Sequence, residues 1–134
     1  YDSNGGYGHP DHIQVHRVGM RAAEIAGVKN VYESVINRDQ MREMLTSNPE
    51  WNNDDSPIDF ESFGTPEAEI TTGVDVAAAI AAKRAAMQVH ETQIGDFGPV
   101  LKMSDDELRA AFGIEWFRRV GAQPGGAKER SLPL

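Results

Sequence analysis

Residues 5–12 read Gly-Gly-Tyr-Gly-His-Pro-Asp-His, and His16 follows one helical turn later. No other stretch constrains the fold as strongly. The glycines demand a turn whose backbone can take left-handed angles. Pro10 then suits the first position of a helix, where its missing N–H costs nothing. The pattern predicts the end of a strand and a turn over 1–8, followed by a helix over 11–26 that stops at Gly27. Ile13, Val15, Val18, Met20, Ala22 and Ile25 give that helix a broad apolar face. Three of the chain's four histidines fall within eight residues, around Asp11. Packing readily explains a lone histidine. A His-Pro-Asp-His group behind a glycine turn points instead to a metal site or an acid/base site. His12 and His16 share a helix face at a spacing that can bind one zinc.

Downstream, residues 28–35 read as a strand and 38–45 as a short helix. Residues 48–66 form a long polar loop, in which Trp51, Phe60 and Phe63 serve as anchors or cleft walls. A strand over 70–76 and an alanine-rich helix over 77–91 follow. Ser104 and Glu107 form a capping box that opens a helix carrying Leu108, Phe112, Glu115, Trp116 and Phe117 to Gly121. Strands alternating with helices give an α/β class. Two strands do not make a stable sheet, so an N-terminal half bearing further strands is expected to be missing. Residues 122–134, with Pro124, Gly125, Gly126 and Pro133, read as a disordered tail.

Composition narrows the chemistry. The 134 residues suit one domain of modest size. The chain has no cysteine, which removes thiol nucleophiles and disulfides, so a zinc ion would need His, Asp or Glu ligands. A net charge of −8 argues against a nucleic-acid partner. No apolar run approaches the roughly 20 residues of a membrane span, and no signal-peptide pattern is present. A cytoplasmic protein is the expectation.

The residues from Gly5 to His12 resemble the C-terminal metal motif of the PIG-L/LmbE-like zinc de-N-acetylases. That family includes mycothiol-type GlcNAc-inositol deacetylases and mycothiol conjugate amidases. Residues 83–94, which include His90-Glu-Thr-Gln93, resemble a later helix of the family, and residues 113–117 resemble its C-terminal region. The resemblance implies a Rossmann-like α/β fold, with 1–121 as the C-terminal portion of a deacetylase domain. It implies one Zn2+ and hydrolysis of an N-acetylated sugar, a small-molecule substrate, and it is compatible with an oligomer.

By matching position, the resemblance makes His12 a zinc ligand. It makes His9 the general acid, or the positive group facing the oxyanion and leaving amine. Asp11 would orient His9, and Tyr7 would contact the tetrahedral intermediate. His16 would support the site from behind or simply pack, and His90 and Gln93 would touch substrate or wall the cleft. Iron competes with zinc at such a site. Gly8 favours the deacetylases over the conjugate amidases, which tend to carry proline there. The family's other two ligands and its general base come from an Ala-His-Pro-Asp-Asp-Glu motif that this chain lacks. The chain alone is therefore expected to be inactive and to need the missing N-terminal segment. The rival reading is a truncated, non-catalytic metal-binding or interaction fragment.

Overall fold

Helix α2 (Pro10–Ala26) has the ends its sequence dictates. Pro10 opens it, and Gly27 closes it at φ 65°, donating its N–H to the carbonyls of Ala23 and Glu24. The structure is a computed structural model that describes residues 1–48, 59–90 and 100–133. Ahead of α2 lies a helical turn, α1 (Gly5–Gly8), rather than the expected strand end. After it come β1 (Tyr32–Val35), α3 (Arg38–Ser47), β2 (Thr72–Asp75), α4 (Ile80–Gln88), α5 (Asp105–Phe112) and β3 (Ile114–Arg119). The chain is thus mixed α/β. It divides into one unit of Tyr1–Gly73 with Trp116–Leu134 and another of Val74–Glu115.

The apolar face expected on α2 is split in two. Ile13 and Met20 are half-buried. Val15, Val18 and Ile25 are exposed by 54%, 67% and 72%. In helical projection the inward arc carries His12, Ile13, His16, Met20 and Ala23, so the histidines occupy positions that apolar residues usually hold.

One expectation is corrected outright. The last helix does not continue to Gly121. It ends at Phe112, and residues 114–119 form a third strand. Ile114, Trp116 and Phe117 favour the extended state, and tertiary pairing outweighs the helical spacing. β3 is the central strand in the order β1-β3-β2. It runs antiparallel to β1, with Tyr32 opposite Arg119 and Val35 opposite Trp116. Trp116 Nε1 donates to Gln40 at 2.8 Å, tying β3 to α3. The shortage of strands inferred from sequence is relieved by this element.

Among the described residues of the first unit, the buried side chains include Val35 and Ile70 together with the polar Asp2, Glu33, Asn37, Thr65 and Thr72. Among the described residues no buried side-chain nitrogen or oxygen lacks a partner, as burial of polar groups requires. In the second unit Ile80, Met103 and Leu108 form the apolar centre. Arg84 donates to the carbonyls of Leu101 at 3.1 Å and Met103 at 2.8 Å. Ser104 and Glu107 make both bonds of the capping box, and the Ser104 hydroxyl holds the Glu107 carboxyl below its ordinary range.

Within the stretch expected to be a disordered tail, Glu129 lies beside Thr72 as an isolated bridge. Its carboxylate accepts from Tyr32 Oη at 2.9 Å, Thr72 Oγ1 at 2.9 Å and Arg119 at 2.6 Å. The bonds from Tyr32 and Thr72 hold the Glu129 carboxyl below its ordinary 4.5. Burial pushes the Tyr32 phenol above its ordinary 10.0, and its bond to Glu129 adds to that. The depressed carboxyl contributes stability above its unfolded value and loses it as pH falls through its folded value. The raised phenol contributes below its unfolded value and loses it as pH rises through its folded value. Thermal unfolding against pH should therefore decline at both ends. Glu129→Gln should remove the clasp's share of the acid decline, and Tyr32→Phe its share of the alkaline one.

Candidate active site

The site begins with a buried aspartate. Asp2 is 3% exposed and lies under the glycine turn. Its carboxylate accepts from Asn4 N at 3.1 Å, Gly6 N at 2.9 Å and Thr65 Oγ1 at 3.1 Å. Gly5 and Gly6 take φ of 66° and 79°, which only glycine adopts cheaply. A second segment braces the turn from the side. Gly64 N donates to Gly6 O at 2.8 Å, and Asn4 Nδ2 donates to Ser62 O at 2.6 Å. Arg38 fixes that segment by donating to the carbonyls of Glu61, Phe63 and Gly64.

The turn delivers His9 and His12 with opposite hydrogen bonding. His9 is the N-cap of α2, and its Nδ1 accepts from Asp11 N at 3.2 Å. The ring's own proton then belongs on Nε2. His12 Nδ1 lies 3.1 Å from Gly5 O. A carbonyl can only accept, so this Nδ1 donates, and in the neutral ring the lone pair is on Nε2. The two ring centroids are 4.6 Å apart. Tyr1 stacks on His12 at 3.9 Å with the planes 8° apart. Tyr7 meets His12 edge-on at 5.3 Å and lies 6.0 Å from His9.

The structure thus brings Tyr7, His9 and His12 together. Asp11 orients His9 through its backbone N–H, while its side chain sits in an exposed position. His16 turns elsewhere: its Nδ1 is 3.2 Å from both Tyr1 O and Glu33 Oε1. His90 follows α4 in the second unit, and Gln93 lies outside the described residues, as does Trp51. Among the described residues no group of three or more His, Asp or Glu side chains is arranged to hold a metal ion. His12 keeps one ring nitrogen, Nε2, outside the bond to Gly5 O.

Three participants escape a motif-based reading: Tyr1, Asp2 and Glu33. Asp2 left a signal, since an aspartate just before an Asn-Gly-Gly turn commonly accepts from the backbone ahead of it. Glu33 and Tyr1 left none, because their partners are distant in sequence. The closeness of the turn to α2 gives a direct test. A Cβ on Gly5 would lie 2.8 Å from His12 Cβ and 2.9 Å from Ile13 N. Gly5→Ala should combine a left-handed penalty of about 1–2 kcal/mol with a steric cost of about 1–3 kcal/mol. Thermal unfolding should register that loss, and the His12–Gly5 bond should be disturbed.

Curated relatives share most of this chain. It is 36% identical to the 1D-myo-inositol 2-acetamido-2-deoxy-alpha-D-glucopyranoside deacetylase of Acidothermus cellulolyticus, over 98% of this chain and 49% of the relative. It is 35% identical to the deacetylase of the same name from Geodermatophilus obscurus, over 95% of this chain and 49% of the relative. For the one from Salinispora arenicola the values are 36%, 95% and 44%. The chain belongs to the PIG-L/LmbE-like de-N-acetylase family. It spans about half the length of the curated relatives it matches. No family model and no solved structure matches the chain. No helix among the described residues is long and apolar enough to cross a membrane.

Proposed function

We propose that the full-length protein hydrolyses the N-acetyl group of an amino sugar, a GlcNAc-inositol-like small molecule. The opposed hydrogen bonding of His9 and His12 carries this reading. Amide hydrolysis needs an electrophilic centre and a donor aimed at the oxyanion, and one tautomer suits each task. His12 holds a lone pair on Nε2 and suits a metal. His9 keeps a proton on Nε2 and suits donation to the oxyanion. To act as the acid, His9 would have to take a proton on Nδ1 and release the N–H of Asp11. Tyr7, half-exposed beside both rings, would contact the tetrahedral intermediate.

Zinc is part of the proposal, and it would polarise the amide carbonyl and activate a water. His12 is the ligand this chain offers. The remaining ligands and the general base would come from an N-terminal half within a Rossmann-like whole. That division makes the 134-residue chain inactive alone.

Purified full-length protein, given N-acetylated amino sugars and thiol conjugates in parallel, should release acetate from the sugars. Turnover of the conjugates alone would reject the assignment in favour of an amidase. Acetate release by the isolated chain would overturn the claim that the site is shared.

A further inference from the structure

We propose that His16 is a positioning residue for His12 and acts through Tyr1. His16 lies one turn behind His12 on α2, and its Nδ1 faces two acceptors. The carbonyl of Tyr1 cannot donate, and the Glu33 carboxylate accepts as well, so the imidazole N–H is shared between them. Glu33 is held in turn. It is 6% exposed, and its other oxygen accepts from Arg118 Nε at 2.8 Å. Arg118 also reaches Glu69 at 3.4 Å. The carboxylate therefore fixes His16, and His16 fixes the backbone of Tyr1.

The ring of Tyr1 is the face against which His12 lies, 3.9 Å away and nearly parallel. Gly5 O restrains the Nδ1 side of His12, and the Tyr7 ring stands nearly perpendicular to it with centroids 5.3 Å apart. With Nδ1 engaged, Nε2 is the ring nitrogen left for another partner. Removing the hold on Tyr1 would free one face of the ring and let it rock about its side-chain torsion. Supports of this kind commonly change metal affinity by about 10–100-fold. His16 has this effect without being a ligand.

The inference rests on the reading of His12 as a ligand, but its test includes a readout that needs neither metal nor activity. In the full-length protein the His12 ring protons should be displaced upfield by the Tyr1 ring current. His16→Ala should remove that displacement and weaken Zn2+ binding, measured by chelator competition, about tenfold or more. Tyr1→Leu should do the same. The double variant should lose no more than either single one, as residues acting in series do. His16→Asn places an amide nitrogen where Nδ1 stands and should restore both readouts.

Unchanged His12 shifts in His16→Ala, or losses that add in the double variant, would overturn the proposal. Should His16→Ala fail to fold, His16→Asn must retain the displacement and Tyr1→Leu must abolish it. If the protein proves not to be a deacetylase, the ring shifts still decide the role of His16.

Discussion

On the proposed function, His12→Ala in the full-length protein is expected to abolish zinc binding and to cost roughly 10³-fold or more in kcat/KM. Groups that merely support a ligand are worth about 10–100-fold, so the ligand itself must be worth more. His9→Ala is expected to retain the metal and lose about 10²–10³-fold, the usual cost of one oxyanion donor. The structure accounts for the split. His12 offers an unprotonated Nε2 because Gly5 O occupies Nδ1. His9 offers a protonated one because Asp11 N occupies Nδ1. Metal analysis beside steady-state kinetics checks both statements, and equal metal loss in the two variants would remove the distinction between them.

The second large effect concerns folding. Asp2→Ala should cost about 3–4 kcal/mol, because the buried Gly6 N–H, the half-buried Asn4 N–H and the Thr65 hydroxyl lose their acceptor at about 1–3 kcal/mol each, eased by solvent at Asn4 and by rotation of the hydroxyl. For a chain of this size the melting temperature should fall on the order of 10 °C or more. Asp2→Asn keeps an oxygen for Asn4 and Gly6 and turns an amide N–H toward Thr65 Oγ1, so it should cost only about 1 kcal/mol. The order Ala far below Asn, read from thermal or urea unfolding, separates the lost acceptors from the lost charge. Because Asp2 supports Gly5 and Gly6, the Ala variant should also disturb His12.

Much of the local structure was legible because its cause is local. Pro10 and Gly27 bracket α2, and Ser104 with Glu107 opens α5, as their capping chemistry requires. The boundary at Gly113 was not legible. Trp116 and Phe117 fit a helical spacing after Leu108 as well as they fit a strand, and only pairing with Tyr32–Val35 decides between them. Glu129 was unreadable for a related reason. Its glycine- and proline-rich surroundings suggest disorder, whereas its bonds come from Tyr32, 97 residues away, and Thr72, 57 away. At the site, sequence singled out Tyr7, His9 and His12, which the fold brings together. The direction in which each imidazole faces depends on Gly5 and Asp11 backbone groups, which no residue pattern reveals.

The imidazole nitrogens of His9 and His12 offer the most direct test of the account. Long-range proton–nitrogen NMR on the full-length protein, freed of metal at neutral pH, distinguishes the two tautomers of each ring. His9 should carry its proton on Nε2 and His12 on Nδ1. The same tautomer on both rings would contradict it, because the pair would then not divide metal binding and oxyanion donation between them.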